Sequence, residues 1–261
     1  MIMDSEVSSP RRDGLVPQNK TLYNQLFIGV CGIAILLTIL MLTWVFKYLG
    51  GIGFSSPLIV FNFHPLLMMF GFVLIFGKAM LIYRSFRGQV KPKLKLLHAI
   101  LNGSVIFVCF LGSLSVLYFH HEAKIPHFYS LHSWLGILTW TLFLGQFSGG
   151  FIAFMYPGAS YSIRSMMMPF HRFAGVATFV LASATCLTGL NEKAIFAFNG
   201  QGGNAKYSDL SGAGILTNVI AIVLVAFVSM VVYLVTRPDF KRIPLPEEQV
   251  ISLNFDLTSN N

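Results

Sequence analysis

Uncharged apolar runs of about 20 residues recur six times along this chain, and they constrain its fold more than any other feature. A run of that length crosses the roughly 30 Å hydrocarbon core of a bilayer as an α-helix. Only 11% of the residues are charged, where a soluble domain carries about 25%. The sequence therefore predicts an all-α membrane protein with six transmembrane helices, at about 27–46, 58–83, 96–119, 131–156, 168–190 and 213–235.

Six spans leave only short loops and two tails, so no room remains for a soluble catalytic domain. We divide the chain into an N-terminal tail (1–26), a six-helix transmembrane domain (27–236) and a C-terminal tail (237–261). The first tail lacks the order of segments found in a signal peptide, so we expect it to be cytoplasmic, with the first helix as anchor. The three cysteines, Cys31, Cys109 and Cys186, fall inside apolar helices and are expected to be small core residues.

Basic residues are distributed unequally between the two sides of this topology. If both termini are cytoplasmic, thirteen basic residues lie on the cytoplasmic side and only four on the opposite side: Lys47, Lys124, Lys193 and Lys206. Lys78 lies within a span. This excess on one side follows the positive-inside rule, so the net charge of +8 predicts membrane orientation and no nucleic-acid partner. Anionic lipid of the bilayer is an additional partner that this charge would suit. The thirteen basic residues on the cytoplasmic side are Arg11, Arg12, Lys20, Arg84, Arg87, Lys91, Lys93, Lys95, Arg164, Arg172, Arg237, Lys241 and Arg242.

Four of the seven histidines each open a different predicted helix: His64, His98, His132 and His171. Successive helices run antiparallel, so helix starts alternate between the two membrane faces. His64 and His132 are therefore expected towards the non-cytoplasmic side, and His98 and His171 towards the cytoplasm. Ionisable residues within a span are candidates for a functional site. Four at matched depths on consecutive helices favour a function over four separate core residues.

Two facing imidazoles suit a haem better than zinc. Zinc usually takes three or four protein ligands, and no cysteine or carboxylate lies at these depths. Haem iron takes two axial ligands, and a pair of histidines favours electron transfer over oxygen binding. Glycines near the histidines, although common at helix contacts in membranes, would give a flat group room: Gly71, Gly103, Gly136 and Gly175.

Several short motifs then resemble the cytochrome b561 family. They are "NFHP" at 62–65, "LLHA" at 96–99, "YSLHSW" at 129–134 and "MPFH" at 168–171, together with "LIYRSFR" and "TGLNEKAIF". The resemblance runs in order from about residue 22 to 250. It implies a four-helix core, helices 2–5, binding two haem b groups. It also implies that electrons pass from cytoplasmic ascorbate to monodehydroascorbate or ferric complexes on the lumenal or extracellular side.

The resemblance also implies a location, an assembly and individual site residues. "PGASYSIRS" at 157–165 resembles the secretory-vesicle type, so a secretory or endolysosomal vesicle or the plasma membrane is expected, as is a homodimer. The resemblance implies two axial pairs, His64/His132 and His98/His171. These are the same pairs that the antiparallel order of the helices predicts. The implied substrate contacts are Lys91, Lys95 and Arg164 for ascorbate and His120 for the outer acceptor, with His121 and His127 as competing imidazoles. The implied cofactor contacts are Arg84, Lys91, His127, Phe128, Tyr129, Ser130, Glu192 and Lys241.

Other classes of protein make different demands on the sequence. A histidine-lined metal or proton transporter without haem would be colourless, whereas a haem protein is red. A haem oxidase would place two histidines on one helix, and no predicted span does so. A structural scaffold leaves the four matched histidines unexplained. The sequence carries no Gly-x-Gly-x-x-Gly motif, so the expected electron donor is small and diffusible.

Overall fold

The computed structural model describes residues 19–199, 206–246 and 248, and within these residues every long element is a helix. Six helices are long and apolar enough to cross a membrane, which confirms the predicted fold class. They are α1 (Lys20–Tyr48), α2 (Pro57–Ser85), α3 (Lys91–Glu122), α4 (Leu131–Phe154), α5 (Tyr161–Ala197) and α6 (Gly212–Thr236).

Most of the helices extend beyond the apolar segments that predicted them, because hydropathy does not detect their polar ends. Side-chain caps fix several starts: Asn19 Oδ1 accepts from the Leu22 amide at 2.9 Å, and Ser130 Oγ accepts from the Ser133 amide at 3.2 Å. Pro92 occupies the first turn of α3, where its missing N–H costs nothing. The 37 residues of α5 span about 55 Å, so its ends project beyond the hydrocarbon core.

The second helix is interrupted just before its histidine. Pro65 has no N–H to donate and its ring conflicts with the carbonyl four residues earlier, so the α-helix breaks at Asn62. The buried Asn62 side chain donates from Nδ2 to the carbonyls of Leu49 (2.9 Å) and Gly51 (2.7 Å). The loop after α1 is thereby fastened to the start of α2. A wider helical stretch, Met69–Ile75, follows before regular α-helix resumes at Phe76.

The four histidine-bearing helices, α2 to α5, form a closed bundle in which each contacts two neighbours. Its centre is filled by aromatic rings in edge-to-face contact: Phe72, Phe76, Trp140, Phe143 and Phe179. Helices α1 and α6 pack on one another through buried apolar side chains, and α6 also contacts α2 and α5. The site is therefore expected within α2–α5, with α1 and α6 as a supporting pair.

The structure tests the expected core position of the three cysteines but not the expected division into tails and transmembrane domain. Cys109 is buried and Cys186 half-buried, but Cys31 is exposed on the bundle surface, so the core role expected for it is wrong. The division into tails and transmembrane domain stays a prediction, because residues 1–18 and 249–261 lie outside the described part of the chain. So do residues 200–205 of the glycine-rich loop and Glu247.

Candidate functional site

Helices α2 and α4 bring His64 and His132 together at one end of the bundle, which we call the outer end. Their ring centroids are 6.0 Å apart and the ring planes are nearly perpendicular, at 85°. Since a carbonyl can only accept, His64 Nδ1 donates to the Gly112 carbonyl at 3.0 Å and His132 Nδ1 to the Thr185 carbonyl at 3.0 Å. The Nε2 atom of each ring is then the one with a free lone pair.

Helices α3 and α5 bring His98 and His171 together in the same way at the opposite, inner end. The centroids are 6.3 Å apart with an interplanar angle of 72°. His98 Nδ1 donates to the Ala79 carbonyl at 2.9 Å. His171 packs at 5.4 Å against the ring of Phe154. His98 and Gly112 mark the two ends on α3, and their 14-residue separation corresponds to roughly 20 Å along the bundle.

Each pair has the spacing expected of two imidazoles on opposite sides of a single metal ion. Metal–imidazole bonds of about 2 Å, together with the ring radii, separate two ring centres by roughly 6 Å. Fixing Nδ1 by a carbonyl and leaving Nε2 for the metal is the usual outer-shell arrangement of ligating histidine. Within the described residues no group of three or more His, Cys, Asp or Glu side chains could hold a metal ion. The residues therefore fit a haem with two axial ligands and do not fit a structural zinc ion.

Two glycines missed by the sequence analysis let the histidine rings approach. A Cβ placed on Gly189 would stand 2.6 Å from His132 Cε1, and one on Gly150 would stand 3.0 Å from His171 Cε1. A Cβ on Gly175 would meet nothing within 4 Å, so the expected role of Gly175 stays a prediction. The expectation for Gly71 is wrong, because Cys109 Sγ fills the place that its Cβ would take. Only the folded backbone shows which glycines face a ring.

Three of the predicted cations lie together at the inner end, and we call Lys91, Lys95 and Arg164 the inner cation cluster. Lys95 Nζ donates to the carbonyl of Phe154, the last residue of α4, at 2.6 Å. Arg164 and Lys91 are close enough to repel the Lys95 ammonium group electrostatically. Positive charge concentrated at the end of an apolar bundle attracts small anions.

Arg84 lies at the same end but in a different environment. Its Nη1 donates to the carbonyl of Arg237 after α6, and Arg87 Nε donates to the Arg84 carbonyl at 2.8 Å. The Arg87 guanidinium stands 4.6 Å from the centre of the Tyr23 ring, and burial lowers its pKa. These groups adjoin a surface pocket of about 220 Å³ lined by Lys20, Asn24, Arg84, Ser85, Arg87 and Gly88. Arg84 is therefore not part of the inner cation cluster.

A carboxylate fastens the segment after α6 to the start of α3, a contact that the sequence analysis did not foresee. Glu248 receives two hydrogen bonds from Arg242, at 2.8 and 2.9 Å, and one from the Lys91 amide at 2.7 Å. Arg242 holds the pKa of Glu248 down, to about 2. Arg242 also donates to the Gln89 carbonyl, while the predicted contact Lys241, next to it, is exposed. An acidic residue in a C-terminal tail gives no sequence signal of which helix it will contact.

At the outer end the structure brings most of the predicted contacts close together. Ser130 Oγ donates to the Glu192 carboxylate at 3.1 Å while also capping α4. The His120 and His127 rings are stacked with centroids 5.5 Å apart, and His120 also interacts electrostatically with His64. Phe128, in a left-handed conformation with φ of 56°, lies beside His127, and Tyr129 is exposed. His121, by contrast, is an exposed side chain in the last turn of α3.

Comparison with known proteins places this arrangement in a family. The family model for eukaryotic cytochrome b561 matches residues 63–197. The chain is 42% identical to the transmembrane ascorbate-dependent reductase CYB561 of Sus scrofa, over 84% of this chain and 85% of that protein. Identity to the Homo sapiens protein of the same name is 39%, over 84% and 86%. The lysosomal membrane ascorbate-dependent ferrireductase CYB561A3 of Bos taurus is 35% identical, over 82% and 81%.

Proposed function

We propose that this chain, which belongs to the eukaryotic cytochrome b561 family, is a transmembrane oxidoreductase that takes electrons from ascorbate. Family membership implies a haem cofactor, and the names of the relatives support ascorbate as donor and a ferric complex as one acceptor. The finer proposal is a protein with two haem b groups that passes electrons from cytoplasmic ascorbate to monodehydroascorbate or a ferric complex on the other side.

The observation that carries the proposal is the presence of one imidazole pair at each end of the same four-helix bundle. Centroid separations of 6.0 and 6.3 Å would each let one metal ion be held between two imidazoles. We assign His64 and His132 to the outer haem, and His98 and His171 to the inner one. A haem iron held by two imidazoles supplies one-electron redox chemistry.

The chain supplies ligand orientation, binding and charge around that chemistry. Carbonyls on neighbouring helices accept the Nδ1 protons of His64, His98 and His132, which leaves Nε2 unprotonated and available to a metal. The inner cation cluster binds ascorbate, a monoanion at neutral pH, and stabilises its negative charge. Helix packing keeps water from the interior between the two ends. His120, stacked on His127 and electrostatically coupled to His64, is the proposed contact for the outer acceptor.

The remaining assignments follow the family. Both termini are proposed to be cytoplasmic, since Lys91, Lys95 and Arg164 gather at the inner end in agreement with the positive-inside rule. A vesicle, endolysosomal or plasma membrane is the proposed location, and one relative is named for the lysosomal membrane. Proposed haem contacts are Arg84, Lys91, His127, Phe128, Tyr129, Ser130, Glu192 and Lys241. A homodimer is proposed on family grounds.

The test is purification of the full chain followed by an optical spectrum and a titration with ascorbate. We expect a Soret band and two b-type haems that ascorbate reduces at separable potentials. A colourless preparation, or a haem that ascorbate leaves oxidised, would contradict the proposal and favour a histidine-lined transporter.

A further inference from the structure

Lys193 is a cation whose side chain turns back onto the outer end of the bundle. Its Nζ stands 4.3 Å from the centroid of the Phe61 ring, which belongs to α2. The side chain is half-buried although it lies only four residues before the end of α5. The sequence placed Lys193 only on the non-cytoplasmic side, together with Lys47, whose side chain is exposed. The structure gives Lys193 a different environment.

That environment adjoins both members of the outer histidine pair. The Phe61 ring under the ammonium group lies 5.9 Å from the ring of His64. Gly189, which packs against the ring of His132, is one helical turn before Lys193 on the same face of α5. Lys193 therefore lies near the outer histidine pair, with the Phe61 ring between its Nζ and the ring of His64.

No carboxylate in the described part of the chain pairs with this ammonium group. The ion pairs there join Arg237 to Asp239 and Arg242 to Glu248, both elsewhere in the molecule. Glu192 precedes Lys193, but adjacent helical residues do not face each other, and its carboxylate accepts from Ser130. A cation–π contact with phenylalanine offsets only part of the cost of withdrawing an ammonium group from water, so a nearby anion would complete the charge balance.

We propose that Lys193 forms an anion-binding site beside the outer histidine pair and binds a carboxylate or enolate oxygen. Two sources have this chemistry: a propionate of the outer haem, and an anionic electron acceptor. The inference rests on the proposed function and goes beyond it, because the outer site then selects its ligand by charge. The negative oxygen would lie on the ammonium group, with the Phe61 ring beneath it.

The experiment compares three full-length variants, Lys193→Gln, Lys193→Arg and Lys47→Gln, with the unaltered protein. Lys47→Gln is the matched control, because it removes a lysine that also contacts an aromatic ring, 5.4 Å from Tyr48, but is exposed and lies on α1, outside the histidine-bearing bundle. The measurements are the midpoint potentials of both haems by optical redox titration, and the oxidation of the ascorbate-reduced protein by ferricyanide (an anion) and hexaammineruthenium(III) (a cation).

Each source of the anion gives a distinct outcome. If the anion is a propionate, Lys193→Gln lowers the midpoint potential of the outer haem alone, because a positive charge that favours the reduced form is lost. If it is the acceptor, the potentials are unchanged, the KM for ferricyanide rises roughly tenfold, as expected when a charged hydrogen bond is lost, and the KM for the ruthenium complex does not rise. Lys193→Arg keeps wild-type behaviour in either case.

Results that overturn the inference are equally definite. Potentials and both KM values indistinguishable from those of Lys47→Gln would show that Lys193 binds no anion. If Lys193→Gln loses the outer haem, retention in Lys193→Arg supports the site and equal loss in both overturns it. The unaltered protein tests the function separately: two ascorbate-reducible haems with an inert Lys193 would reject only this inference.

Discussion

The ring of His132 on α4 lies directly against Gly189 on α5, where a side chain of any size would occupy its space. A Cβ on Gly189 would be 2.6 Å from His132 Cε1 and 3.0 Å from Nδ1. The same ring donates from Nδ1 to the Thr185 carbonyl, one turn earlier on α5. A glycine and a carbonyl on one helix thus set the position and the tautomer of a histidine on another.

Gly189→Ala should therefore disturb the outer pair while sparing the inner one. The added methyl group must displace His132 or separate α4 from α5, which costs on the order of 1–3 kcal/mol. We expect reduced occupancy or an altered spectrum of the outer haem, measured optically. Gly145→Ala on α4 is the matched control, since a Cβ there meets nothing within 4 Å. Equal spectra for the two variants would refute the role of Gly189.

Single replacements of the paired histidines should remove the haems one at a time. His64→Ala or His132→Ala should abolish the outer haem signal, and His98→Ala or His171→Ala the inner one, because each ion loses one of two axial ligands. His121→Ala, an exposed residue near the outer end, serves as control. The measurement is haem content per chain with redox titration of what remains. Unchanged reducible haem in all four variants would contradict the assignment.

Arg164→Gln should weaken ascorbate binding without affecting haem content. Removing one charge from the inner cation cluster should raise the KM for ascorbate roughly tenfold, equivalent to about 1.4 kcal/mol. Arg164 is more informative than Lys95, whose Nζ also fastens the end of α4 through the Phe154 carbonyl. The control is Lys93→Gln, which removes an exposed cation that lies between Lys91 and Lys95 on α3. A KM equal to that of Lys93→Gln would refute the proposed ascorbate site.

Glu248→Gln should release the segment after α6 from the start of α3. Replacing the carboxylate weakens the two bonds from Arg242 and the one from the Lys91 amide. Loss of a charged hydrogen bond is worth about 1.5–3 kcal/mol, so exchange of the Lys91 amide hydrogen should accelerate tenfold or more. Glu122→Gln, at the other end of α3, is the control. Unaltered exchange at Lys91 would show that this carboxylate fastens nothing.

Acid should have the same effect as that substitution. The ion pair depresses the pKa of Glu248 from 4.5 to about 2. Above the ordinary carboxyl pKa, Glu248 is ionised and its contacts contribute their full stabilisation. That stabilisation is lost as the pH falls through the lower pKa that Glu248 has in the folded protein. The Lys91 amide should therefore be protected above about pH 4.5 and lose protection between there and about pH 2. Exchange measured at several pH values checks this, with Glu248→Gln expected to show no such transition.

The sequence predicted the features that follow from the order of residues along each helix, namely the number of spans and the depth of the histidines. Apolar runs fixed the number of spans, because a bilayer imposes the length of an uncharged segment. Helix starts predicted which histidines would share a depth, and the His64/His132 and His98/His171 pairs do lie together. The grouping of Lys91, Lys95 and Arg164 at the inner end was implied by the family resemblance. The exact helix ends were not predicted, because caps such as Asn19 lie outside the apolar runs.

Contacts between helices were beyond the reach of the sequence. Gly71, expected to give a flat ligand room, packs on Cys109, whereas Gly189 and Gly150 receive the histidine rings. Periodicity assigns residues to a face of one helix but does not give the rotation of that helix against its neighbour.

The sequence by itself determined a six-helix membrane bundle with one pair of histidines towards each face, since hydropathy and antiparallel alternation are properties of the chain order. Tertiary structure alone decided the tautomers, through the carbonyls of Gly112, Thr185 and Ala79. It also decided that Lys193 turns onto the Phe61 ring while Lys47 stays exposed. The physical reason is that hydrogen bonds and charge environments depend on which groups are neighbours in space, and residues far apart in the chain become neighbours only when the helices pack.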